Sequence, residues 1–359
     1  MSFKPCFGFP NSVLKIQFLV LPFLALLQLS TPACSSGGGL ITPRKPDDAS
    51  GDFAAPSSKL EDLGQVDAKI SSFDFGPPPT VVGTFVIPSG AAALAVDRAG
   101  AVWVTSPRED KITKFNASTT GEVKELGGKP ASGIAIDYRD IVWIAATEYG
   151  GVVRYSGVGF VLDNIPVRPG PVSIAISRSD DVWVVCRDQG AVVRLSLDGR
   201  TQTAYDAGEG PYGIALVEGG GLWVTRPKIG MLLLNDRGAR IQAFPLIGKP
   251  TDVATDIAGD IWVTLQDRNE IWHGKSNGSM ISATSVGAQP LHIIKDRSDR
   301  FWVSNYGSNS VSELAPDGRE MARVPVGKAP RGLAVGPDGD IWVANSGEDT
   351  IMRIHPIGI

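Results

Sequence analysis

Seven tryptophans recur along this chain at Trp103, Trp143, Trp183, Trp223, Trp262, Trp302 and Trp342, with spacings of 40, 40, 40, 39, 40 and 40 residues. Each follows an aliphatic residue or Phe and precedes Val or Ile, as in Ile261-Trp262-Val263-Thr264. A fixed period of this size means one supersecondary unit that cannot bury its apolar face alone and is copied and stacked until it can. Within each copy an apolar strand comes first, as in Ile134-Ala135-Ile136, then a Gly/Asp turn such as Pro337-Asp338-Gly339, then the Trp strand. A short loop leads to a third strand of alternating apolar residues, Val192-Val193-Arg194-Leu195 for example, and a second turn opens a more polar fourth strand. Asp-Gly between two such runs, at Asp198-Gly199 and Asp317-Gly318, is a hairpin signal. No segment holds apolar residues at i, i+3, i+4 and i+7, which excludes a helical solenoid of similar period.

The expected fold is therefore all-β: a seven-bladed β-propeller over residues 80–359 built from four-stranded antiparallel blades. The last repeat stops after its third strand, Ile351-Met352-Arg353-Ile354. The surplus segment Thr80–Pro88 reads as the missing fourth strand, so the N-terminal strand is expected to close the ring and cover two sheet edges. The tryptophans are read as core, because seven equivalent indoles at one strand position answer to packing. Trp272 lies outside the series, on a third strand.

Ahead of the propeller the chain changes character. Lys4 and Lys15 flank the start of an apolar run from Ile16 to Leu29, too short for a comfortable membrane span and typical of a signal peptide. Thr31-Pro32-Ala33-Cys34 resembles the lipobox of bacterial lipoproteins, which implies a signal peptide over 1–33, a lipid on Cys34 and attachment to a membrane of the cell envelope; a periplasmic or secreted protein is the alternative. Residues 34–79 are rich in Ser, Gly and Pro and read as a flexible tether, with a short helix possible around 59–70. Cleavage would remove Cys6 and leave Cys186 without a partner once Cys34 is lipidated, so the fold is expected to stand without a disulfide. The net charge of −4 argues against nucleic acid as a partner. A monomer is expected.

The repeat Gly-Ile-Ala-Val-Asp-x-x-Gly-x-Ile-Trp-Val-Thr, seen best at Arg331–Ala344 and Ser132–Asp137, resembles the virginiamycin B lyase family and the related NHL and SMP-30-like propellers. In such a ring two residue sets are expected to meet at the central channel. One precedes each innermost strand: Ala92, Ser132, Val172, Tyr212, Thr251, Leu291 and Arg331. The other lies three places past each Trp: Ser106, Ala146, Cys186, Arg226, Leu265, Asn305 and Asn345. The resemblance implies, for a lyase, a His in the first set and Glu in the second, holding magnesium and moving a proton. Here neither set contains His, Glu or Asp. Arg331 stands in the place of the His and Asn345 in that of its Glu partner, and Arg is always protonated and cannot be a base.

The expectation that follows is a non-catalytic binding or interaction module presenting its channel face to a protein, a glycan or a small anionic ligand. Tyr212, Arg226, Arg331, Asn305 and Asn345 are the candidate rim residues; Arg187 and Lys228 would add positive field. The alternative is a metal-dependent lyase or a lactonase-type hydrolase with a rearranged site. It would draw on His292, Asp252 and Arg331, with Asn305 and Asn345 as further oxygen donors to Mg or Ca. No metal ligand set is assigned with certainty. His273 falls where other blades carry Lys114, Arg154, Arg194 and Arg353, and is read as a surface substitute for those cations. Cys186 is read as a small buried hydrophobe.

Overall fold

The computed structural model describes residues 77–87, 90–109, 111–116, 122–127 (backbone only) and 130–356. The expectations for the signal peptide, for Cys34 and for the tether up to residue 76 lie outside them. No helix among the described residues is long and apolar enough to cross a membrane.

The described strands form seven four-stranded antiparallel sheets. Six are consecutive meanders. Blade 1 begins at β2 (Ala93–Val96), blade 2 at β6 (Ala131–Ile136), blade 3 at β10 (Pro171–Ile176), blade 4 at β14 (Ile214–Leu216), blade 5 at β18 (Pro250–Thr255) and blade 6 at β22 (Pro290–Lys295). Blade 7 combines β26 (Pro330–Val335), β27 (Ile341–Asn345) and β28 (Thr350–His355) with the N-terminal strand β1 (Thr80–Val86). β1 runs antiparallel to β28, from Thr80 opposite His355 to Val86 opposite Thr350. The ring is thus closed by the segment that had no repeat of its own. Among the described residues the one helical element is a 3₁₀ turn, Thr147–Tyr149.

The tryptophans hold the blades together. Each is 0–3 % exposed and packs into the following blade: Trp103 against Val142 and Ile144, Trp143 against Val184 and Val193, and so on to Trp342 against Val102 and Phe115 of blade 1. An indole buries about 150–250 Å², an upper bound of roughly 4–6 kcal/mol at about 25 cal/mol per Å². The indole N–H also needs an acceptor. In blades 1, 2, 5 and 6 an Asp six residues earlier supplies it: Asp97, Asp137, Asp256 and Asp296 accept from the Trp Nε1 at 3.1–3.2 Å. The same carboxylates form the hairpin turn, each taking two backbone N–H groups, as Asp97 does from Ala99 and Ala101. Blade 4 has Val217 at that place, and Trp223 Nε1 is buried without a partner.

A second layer of support lies over the indoles. Lys114, Arg154, Arg194 and Arg353 sit opposite Trp103, Trp143, Trp183 and Trp342 in the strand register, with their cations 4.8–5.7 Å from the rings. His273 holds the same register position against Trp262, as expected, but it is not at the surface: it is 6 % exposed and stacks on the indole at 3.7 Å.

Candidate functional site

The innermost strands surround a central cavity of about 320 Å³. A register slip near the start of most of these strands shapes its wall. In blade 5 Pro250 pairs with Leu265 and Val253 with Val263, so Thr251 and Asp252 together oppose a single residue. Equivalent slips occur at Pro290/His292 and Pro330/Leu333. Extra residues of this kind bend a strand and re-aim its side chains. Here they turn Asp252, Leu291, His292 and Arg331 toward the axis, where they line the cavity with Ala92, Ser132, Val172 and Tyr212. Six of the seven residues expected to precede the inner strands are thus in the wall; the seventh, Thr251, is buried beside the mouth.

The second set behaves differently. Arg226, Asn305 and Asn345, proposed for the rim, are 6 %, 0 % and 0 % exposed. Asn305 Nδ2 donates to Ser310 and Ser312, Asn345 Nδ2 to Thr350, and an Arg226 guanidinium nitrogen to the Met231 carbonyl. Strand alternation is the reason. The first and third residues past each Trp face the preceding blade, as Val263 and Leu265 do in packing with Trp223. In blades 2 to 7 the fourth residue past Trp is the first to leave the strand. Pro227, Gln266 and Tyr306 occupy that place and line a hollow of about 280 Å³ at the mouth, with Tyr212, Lys249, Thr251, Leu291 and Arg331. Counting four places instead of three would have found them. Lys249, on the turn into β18, belongs to neither residue set, although Gly248-Lys249-Pro250 repeats Gly128-Lys129-Pro130 of blade 2. Cys186 also faces the preceding blade and is fully buried, and burial pushes its thiol up to about 12, in keeping with a small buried hydrophobe.

Within the cavity, Asp252 and His292 form a pair the sequence did not disclose as one. They hold the same position in adjacent blades, the place that is glycine in blades 2, 4 and 7. At Gly133, Gly213 and Gly332 a Cβ would come within 3 Å of the neighbouring inner strand. In blades 5 and 6 the side chain at this place bonds that neighbour. Asp252 Oδ2 accepts from the Ile293 N–H at 3.1 Å, and His292 Nδ1 accepts from the Leu333 N–H at 3.2 Å. With Nδ1 an acceptor, the imidazole proton lies on Nε2, which faces Asp252 Oδ2 at 3.4 Å. Burial pushes the Asp252 carboxyl above its ordinary value, and His292 offsets part of that rise.

A catalytic dyad uses one ring nitrogen to be oriented and the other to take a proton. In His292 the oriented nitrogen is Nδ1. Nε2 lies 3.4 Å from the Asp252 carboxylate, and the side chain is 38 % exposed. The arrangement braces blades 5, 6 and 7 around the channel. Thr225, Thr251 and Ser304 extend the brace, their hydroxyls donating to the carbonyls of Thr251, Pro290 and Arg331 one blade on.

No family model matches the chain, and no curated protein matches it either. Solved structures do. A streptogramin B lyase is 20 % identical, covers 76 % of this chain and 97 % of its own, and superposes with a TM-score of 0.69. Virginiamycin B lyase from Staphylococcus aureus is 18 % identical over 77 % of this chain and 99 % of its own, with the same TM-score. A catalytically inactive histidine-to-alanine variant of that enzyme, in complex with quinupristin, matches equally well.

In fold, the chain is a virginiamycin B lyase-like propeller. At this level of identity the likeness is one of architecture, and what this virginiamycin B lyase-like ring does rests on its own side chains.

Proposed function

We propose that this propeller is a non-catalytic binding module whose channel mouth takes a small organic anion. The observation that carries the reading is His292, the one histidine among the described residues that lines the cavity: its Nδ1 is bonded to the Leu333 N–H and its Nε2 lies 3.4 Å from Asp252, which ties the ring to the frame. The mouth suits an anion. Lys249 and Arg331 stand over a hollow that also offers Tyr212, Tyr306 and Gln266, and among the described residues no carboxylate lines it. Two cations with two phenol rings and an amide match a planar ligand bearing one or two carboxylates or a phosphate. Tethering through a lipid on Cys34 would hold this face at the surface of the cell envelope. It follows from the apolar run and the Ala33-Cys34 junction, and a Cys34→Ser variant is expected to lose membrane association in cell fractionation.

The site is tested by melting the full chain with phthalate, citrate and inorganic phosphate, and separately with Mg²⁺ or Ca²⁺. At about 100 times its Kd an anion stabilises by about 2.7 kcal/mol. The expectation is an upward shift with at least one anion that is lost in Arg331→Ala or Lys249→Ala, and no shift with either cation alone. The competing reading is the activity named for the solved neighbours. Mg²⁺-dependent lyase activity on quinupristin, abolished by His292→Ala, would replace the binding proposal with it.

A further inference from the structure

Away from the channel, blade 5 brings two carboxylates and an imidazole together. Asp256 and Asp260 belong to the turn between β18 and β19 (Ile261–Leu265), and His273 lies on β20 (Glu270–Gly274). One ligand atom from each lies within 4.8 Å of the others. We propose that Asp256, Asp260 and His273 form a divalent-cation site of the zinc class.

The imidazole is the deciding element. Its side chain is 8 % exposed, and Nε2 is buried with no hydrogen-bond partner while pointing at Asp260 Oδ2, 3.8 Å away. That distance is too long for a hydrogen bond. In blades 1, 3 and 7 the equivalent position carries a Lys or Arg that pairs with an acid of its own blade: Lys114 with Asp97, Arg194 with Asp181, Arg353 with Asp340. Blade 5 keeps the acids, pairs Asp260 with the half-exposed Lys275, and puts an imidazole with an unpartnered Nε2 where the cation stands in the other blades. A buried ring nitrogen without a hydrogen-bond partner, aimed at carboxylates, is the kind of N and O donor set that a divalent ion of this class takes.

The surroundings fix these ligands in place. His273 is stacked on Trp262 at an interplanar angle of 15°, which sets the direction of Nε2, and Nδ1 lies 3.5 Å from Ser282 Oγ. Asp256 Oδ1 accepts from the backbone of Ala258 and Asp260, and its Oδ2 from Trp262 Nε1. Outer partners of this kind orient metal ligands and fix the histidine tautomer. One group competes. Lys275 Nζ rests 2.8 Å from Asp260 Oδ2, but its side chain is 54 % exposed and free to swing into solvent. Three protein ligands leave positions for water.

The test is a calorimetric titration of metal-stripped full chain with Zn²⁺ at pH 7.5. One equivalent is expected, weakened at least about tenfold in His273→Gln and in Asp260→Asn. Lys275→Ala, which removes the competing ammonium, should bind several-fold tighter. His292→Gln and His355→Gln should bind as the parent does. In ¹H–¹⁵N spectra of the imidazoles, Zn²⁺ should move the His273 signals. Absence of a stoichiometric heat, binding unchanged in His273→Gln, or perturbation confined to His292 or His355 would overturn the site.

Discussion

Asp252 is the residue on which the channel chemistry turns, and its titration has a definite sign. Burial raises its pKa above the ordinary 3.8. The folded state therefore holds the proton longer than the unfolded chain does. Its contribution to stability falls as pH rises from the ordinary carboxylate value through the raised one, the reverse of a salt-bridged surface acid. Asp252→Asn keeps an acceptor for the Ile293 N–H and removes the titration. Denaturant melts from pH 4 to 7 should show stability at neutral pH equal to or above the parent, with a shallower decline across that range. An unchanged slope would mean that Asp252 is not the buried acid it is taken to be. His292 beside it was legible in the sequence as an isolated residue only. Its carboxylate lies 40 residues back at the same repeat position. In a ring, equal positions in neighbouring blades are neighbours in space, and linear spacing does not display that contact.

Among elements, β1 carries the greatest consequence per residue. It supplies the outer edge of blade 7 and places Phe85 against Phe115 of blade 1 and Trp342 of blade 7, with ring centroids 4.6 and 5.8 Å away. One short strand thus touches both sides of the seam. Removing residues 80–88 exposes the edge of β28 and opens that aromatic cluster. The truncated protein is expected to lose its single cooperative unfolding transition in calorimetry, and an unchanged transition would refute closure by this strand. The element pattern was readable because the repeat fixes it: strand order, turn residues and the unpaired ends all follow from the Trp period. Side-chain direction at strand ends was less readable. Asn305 and Asn345 were placed on the rim by counting from Trp, yet the count ends one residue inside the strand, where alternation turns them toward the preceding blade. The slips that aim Arg331 and Asp252 inward leave no mark in an apolar pattern.

At the scale of the molecule, seven interlocking blades give a rigid frame around one narrow channel, and the question is whether that channel carries out chemistry or receives a ligand. Fold likeness to the lyases leaves both open. The side chains favour reception: a braced histidine below, cations and phenols above. The brace is open to direct measurement. Long-range ¹H–¹⁵N spectra of the full chain at pH 8, with His292 assigned by His292→Gln, report which ring nitrogen carries the proton. The account predicts the Nε2–H form, with Nδ1 shifted as an acceptor of the Leu333 N–H. An Nδ1–H form with a free Nε2 lone pair directed into the cavity would restore a competent base and contradict it.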